Sequence, residues 1–111
     1  QGLIMINAVF YRKQSLLSGF SVSGHSGYAE AGSDIVCAAV SSAVQLTCNT
    51  ITDFFGNDAE VSADENRISL MLTDYCGADE CSFQLIESLK THLEIISQDY
   101  KGTIKLSITE V

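Results

Sequence analysis

One long apolar segment, residues 34–55, limits the possible folds of this chain more than any other feature. Its apolar residues recur at three- and four-residue spacing, which predicts a helix from an N-cap at Asp34 to about Phe55. They occupy two faces, Val36, Val40, Ala43, Val44, Ile51 and Phe54 on one and Ile35, Ala39 and Leu46 on the other. A helix that is apolar around so much of its circumference must be covered on more than one side, so we expect it to be central.

The patterns on either side of this helix predict an α+β fold. Strands are expected at 4–11, 16–24, 59–63, 67–73 and 102–111, and an amphipathic second helix at 79–98. The order is therefore ββαββαβ, with one mixed or antiparallel β-sheet of about five strands packed with two helices. A chain of 111 residues has the size of one domain, and we expect a single domain over 1–111. Gln1-Gly2 is typical of a cleaved tag remnant, which makes Met5 a plausible natural start.

The charge balance favours a basic partner and disfavours nucleic acid. The chain carries 14 Asp and Glu against six Lys and Arg, a formal net charge of −8. No basic stripe could neutralise nucleic-acid phosphates, so direct binding of RNA or DNA is not expected. Complementary charge instead speeds the encounter with a basic molecule.

Cysteine usage and hydropathy predict a cytoplasmic protein. The four cysteines occur without a signal peptide, in a chain long enough to bury a core, which favours reduced thiols over disulfides. We find no apolar run of roughly 18 residues that is not broken by polar groups, so no membrane association is expected.

A candidate nucleophile, Cys37, stands near the predicted start of the central helix. With Asp34 as N-cap, Cys37 is the third helical residue, where exposed amides and the positive end of the helix favour a thiolate. His25 lies in a glycine-bearing loop, 24–33, that could fold back over the helix start and close over a peptide. The alternative is that Cys37 is a small buried core residue. Asp34 could orient the imidazole of His25, although capping competes for the same carboxylate.

The other cysteines give weaker signals. Cys81 and His92 would be separated by about 16 Å along one helix, too far for proton transfer. Cys76 and Cys81 are spaced C-x₄-C without a second ligand pair, which makes a zinc site improbable and leaves a thiol redox sensor as a further hypothesis. We interpret Cys48 as a core residue.

Two short strings in this region resemble a known family. Gly24-His25-Ser26, followed by Gly32-Ser33-Asp34-Ile35-Val36-Cys37-Ala38-Ala39-Val40-Ser41, is similar to the signature of the ribosomal-processing cysteine proteases of Firmicutes and related bacteria. The resemblance extends along the whole chain. It implies catalytic roles for His25 and Cys37, and supporting roles for Gly24, Gly32, Asp34 and Ser41.

The resemblance also implies a substrate and an assembly. The substrate would be the N-terminal extension of large-subunit ribosomal protein twenty-seven, cut after paired phenylalanines and before a small residue. The family resemblance further implies a homodimer. We expect no metal and no cofactor. The alternative function is a non-catalytic ribosome-biogenesis protein that binds a basic ribosomal protein.

Overall fold

The computed structural model describes residues 5–24, 31–73 and 80–111, with side chains of the first helix from residue 35 onward. The elements are β1 (Ile6–Lys13), β2 (Leu16–Ser23), α1 (Ala31–Asn49), a π-helical turn (Thr50–Phe54), β3 (Ala59–Ala63), β4 (Arg67–Leu72), α2 (Glu80–Asp99) and β5 (Ile104–Glu110). The predicted α+β class and the order ββαββαβ are confirmed, and every strand end falls within two residues of its predicted position.

The five strands form one mixed sheet in the order β3-β4-β2-β1-β5. The pairs β1–β2, β2–β4 and β3–β4 are antiparallel, as expected of two hairpins joined side by side. β5 pairs in parallel with β1 because α2 crosses the sheet from β4 before the chain enters β5. In this order β3 lies at one edge of the sheet and β5 at the other.

The core lies between the two helices and one face of the sheet. Alternate strand residues point into it, which is the period expected of strands with one covered face. The fully buried side chains from all these elements include Phe10, Phe20, Val36, Val40, Val44, Leu70, Leu72, Ile86 and Leu93. Burying one such side chain stabilises the fold by about 1.5–3 kcal/mol, so this layer dominates the stability.

The central helix begins earlier than predicted. α1 starts at Ala31, so Asp34 lies inside the helix and is not its N-cap. Residues 31–33 of the predicted loop are therefore helical. Alanine is the strongest helix former, and a helical glycine such as Gly32 costs only about 1 kcal/mol, less than the burial of the apolar face contributes. The predicted end near Phe55 is confirmed, although the last turn, Thr50–Phe54, is a π-helix.

The prediction that α1 is covered on more than one side is wrong for a single chain. Ile35 and Leu46 on α1 and Phe54 at the end of the π-helical turn are 60%, 68% and 82% exposed. Phe54 was expected on the face that carries Val36 and Val40, and this is wrong, because that face is buried. One side of α1 therefore leaves large apolar side chains uncovered.

The longest apolar segment is interrupted by polar residues, as expected, but its mean hydropathy is still high. Within the described ranges, one helical segment, Ile35–Phe54, has 20 residues and a mean hydropathy of 1.4, sufficient by length and composition to cross a membrane. Core helices of soluble proteins meet the same criterion. Since Val40, Val44 and Ile51 are completely buried against the rest of the fold, the hydropathy of this segment is accounted for in part by its core face.

Candidate active site

Cys37 lies on the side of α1 that packs towards the sheet. It belongs to the buried core and is 8% exposed, between the fully buried Val36 and Val40. Cys37, Ser41, Gln45 and Cys48 follow one another at four- and three-residue spacing, which places them along one side of the helix. Ser41, Gln45 and Cys48 are therefore the residues that share this side of α1 with Cys37.

The helix start changes the electrostatic argument for Cys37. With α1 beginning at Ala31, Cys37 lies in the second turn, beyond the exposed amides and the strongest field of the helix terminus. Its own N–H is in position to bond the carbonyl of residue 33 within the helix. This corrects the expectation that exposed amides at the helix start, including that of Cys37, could hold the oxyanion of a peptide-cleaving reaction. A nucleophilic role for Cys37 would therefore require a neighbouring base.

Gly24 follows β2 directly and has a backbone conformation that favours glycine. Its φ is +86°, and a Cβ at this position would lie 2.8 Å from the carbonyl oxygen of Met5. The Gly24 N–H donates to the carbonyl of Asn66, at a distance of 3.0 Å. This bond ties the residue before His25 in the chain to the tip of the β3–β4 hairpin.

The structure describes some of the remaining predicted site residues and not others. Ser41 is half-buried one turn after Cys37, and Gly32 and Asp34 are helical residues of α1. His25 and the rest of the loop segment 25–30 lie outside the described residues, as does Cys76. The structure thus brings Ser41 and Cys37 to one side of one helix.

Two other cysteines, Cys81 and Cys48, lie in surroundings that do not favour a nucleophilic role. Cys81 is exposed in the first turn of α2, and His92 is on the same helix eleven residues later, about 16 Å along its axis. Cys48 is buried, as predicted for a core residue, and desolvation by burial raises the pKa of its thiol from 9.0 to about 11. A thiol with so high a pKa is protonated at neutral pH and is a poor nucleophile. In the described part of the chain, His, Cys, Asp and Glu form no group of three or more that could hold a metal ion.

A groove lies between α1 and the β3–β4 hairpin, and sequence reasoning did not anticipate it. Its volume is about 310 Å³. It is lined by Gln45, Cys48, Asn49, Val61, Ala63, Asp64 and Ile68. The only sequence signal for it was that Ala59, Val61 and Ala63 alternate along a strand. This alternation predicts that the three side chains share one face, but it does not predict which element packs against that face. We refer to this feature as the α1–β3 groove.

Comparison with known proteins adds a family and a fold. The family model described as cysteine protease Prp matches residues 5–105. The crystal structure of SMU.848 from Streptococcus mutans aligns with a TM-score of 0.87 at 25% identity, covering 96% of each chain. No curated protein is similar enough in sequence to match the chain.

Two further crystal structures are of an essential ribosomal processing protease from S. aureus. The one in complex with a substrate peptide aligns with a TM-score of 0.85 at 18% identity, over 95% of this chain and 100% of that one. The one with a covalently linked product peptide gives 0.81 at 19% identity over the same shares. At these identities the likeness shows a shared fold.

Proposed function

This chain belongs to the Prp family of cysteine proteases, and from that premise we propose that it processes a ribosomal protein in the cytoplasm. The substrate is the N-terminal extension of large-subunit ribosomal protein twenty-seven. The cut falls after paired phenylalanines and before a small residue. Cys37 is the nucleophile and His25 the general base and acid.

One observation carries the proposal: the family match spans residues 5–105 and therefore includes both residues of the dyad and all four supporting residues. The S. aureus protein with the same fold is described as a ribosomal processing protease, with one peptide bound and another covalently linked. A covalent link to a peptide is the expected intermediate of nucleophilic cysteine catalysis. The net charge of −8 favours encounter with a lysine-rich substrate.

The proposed reaction proceeds through a thioester. His25 accepts the Cys37 proton, and the thiolate attacks the scissile carbonyl carbon to form a tetrahedral intermediate. His25, then an imidazolium, protonates the departing amine as the C–N bond breaks. Water, deprotonated by His25, hydrolyses the thioester and returns Cys37 as a thiol.

Cleavage of the intact substrate tests this proposal. Incubation with the extended ribosomal protein should yield one new N-terminus, directly after the paired phenylalanines, identified by mass spectrometry of both products. A ribosomal protein lacking its extension is the matched control and should remain intact. Stable binding without any cut would instead support the non-catalytic binding protein, and a cut elsewhere would refute the assigned specificity.

We also propose that the chain forms a homodimer through the exposed face of α1. Ile35, Leu46 and Phe54 are the residues a partner would cover. Leu46→Glu should then shift the mass in solution from twice 12.0 kDa towards 12.0 kDa, measured by light scattering. Thr91→Glu adds the same charge at an exposed position on α2 and should not change the mass. A monomeric wild type would contradict this proposal.

A further inference from the structure

We propose that the α1–β3 groove binds the substrate chain about five residues downstream of the cleaved bond. This inference rests on the proposed role of Cys37. The groove would hold an apolar side chain of an extended, basic peptide, and so would contribute to specificity away from the paired phenylalanines.

The position of the groove on α1 sets its distance from the reacting sulfur. Gln45 and Cys48 line the groove, and they share one side of the helix with Cys37. Cys48 follows Cys37 by eleven residues, which corresponds to about 16 Å along the helix axis. An extended peptide advances about 3.3 Å per residue, so a chain lying along α1 reaches the groove near its fifth residue from the cut. The paired phenylalanines directly precede the cut, so they lie too close to Cys37 to reach the groove.

The lining of the groove suits one apolar side chain held beside polar groups. Cys48 and Ile68 are 7% exposed and form part of its apolar lining, and Val61 is 46% exposed. Gln45 and Asn49 contribute side-chain amides, which can bond the carbonyl and N–H groups of a peptide backbone. β3 is the edge strand of the sheet, so its outer backbone groups can also pair with an extended chain.

Charge identifies the side of the cleaved bond that enters the groove. Asp64 lines the groove, Glu65 follows it at the tip of the hairpin and Asp58 precedes β3, whereas Glu60 lies on the opposite face of β3 with Ser62; Arg67 is the one guanidinium between residues 58 and 67. This acidic hairpin is complementary to a basic segment. In the proposed substrate, the basic mature ribosomal protein lies after the cut. We therefore assign the groove to the downstream, C-terminal side.

Peptides of different length test the assignment. A short peptide would carry four residues on each side of the cut, and two longer ones would extend it by four natural residues at the C-terminus or at the N-terminus. The C-terminal extension should raise kcat/KM about tenfold, the effect of one well-filled subsite, and the N-terminal extension should not. Equal rates for all three peptides, or a gain from the N-terminal extension only, would overturn the proposal.

Binding separates this proposal from the proposed function. Dissociation constants of the same peptides for the Cys37→Ser variant, measured by calorimetry, require no turnover. The C-extended peptide should bind about tenfold more tightly than the short one. A failure of cleavage by the wild type with this difference intact would count against the protease assignment and not against the groove.

Two neighbouring positions on β3 provide a matched pair of variants. Ala63 faces the groove, whereas Ser62 points to the opposite face of the same strand, and both are exposed. Ala63→Phe should fill the groove and reduce the advantage of the C-extended peptide to about one, a loss of roughly tenfold. Ser62→Phe should preserve the advantage. An unchanged advantage in Ala63→Phe would overturn the proposal.

Discussion

Cys37→Ser is expected to reduce cleavage of the extended ribosomal protein by a factor of at least about 10⁴. The substitution replaces one sulfur by oxygen and retains the shape of the side chain. A hydroxyl is far less acidic than a thiol and is a weak nucleophile without strong activation. Because Cys37 lies in the second turn of α1, the helix terminus supplies little help in forming an alkoxide. The measurement is kcat/KM by quantitative mass spectrometry of the released extension.

The matched control for this variant is Cys81→Ser. Cys81 is exposed on α2 and lies outside the proposed site, so its replacement should leave kcat/KM within about twofold of the wild type. Thermal unfolding of both variants should show that the Cys37 change affects chemistry and not folding. Full activity of Cys37→Ser would eliminate the protease mechanism proposed for this residue.

The fold was largely predictable because its signals are local and periodic. The alternating strands and the 3.6-residue period of α2 marked five strands and one helix directly. The parallel pairing of β5 with β1 was left open, since strand order depends on contacts between residues far apart in sequence. Element type follows from neighbouring residues, whereas sheet arrangement follows from packing.

The start of α1 was missed for a related reason. Asp34 has the chemistry of an N-cap, and glycines precede it, so capping preference favoured a helix starting there. The helix nevertheless extends back to Ala31. A cap contributes about 1 kcal/mol. Burial of the apolar face of α1 contributes more, so it decides where the helix begins. The consequence is functional, because it removes the helix terminus as the main reason for Cys37 to ionise.

The sequence suggested candidate residues for the site, which stay a prediction, but not the surface around them. Cys37 and Ser41 follow from a specific string of residues, and their common side of α1 follows from helical spacing. The α1–β3 groove combines Gln45 and Asn49 with Val61 and Ala63, which belong to elements joined only by tertiary packing. Its walls required the positions of both elements. Sequence motifs therefore identify the chemistry more readily than the specificity.

His25→Ala is expected to lower kcat/KM by about 10²–10⁴. Cys37 is beyond the strongest field of the helix terminus, so in the proposed mechanism proton acceptance by an imidazole is the main route to its thiolate. The wild-type kcat/KM should fall on the acid side of its pH profile as this base becomes protonated. In the variant, that acid limb should be absent or displaced, and added imidazole should restore part of the rate.

His92→Ala provides the comparison that isolates this role, because His25 and His92 are the two histidines of the chain. His92 is exposed on α2 beside the groove between α1 and α2, on a different helix from Cys37. Its replacement should leave both the rate and the acid limb unchanged. If His92→Ala removed the acid limb and His25→Ala did not, the base would lie on α2 and the dyad would be wrong. If neither did, the acid limb would come from a carboxylate, and Asp34, three residues before Cys37 on α1, would be the first group to replace.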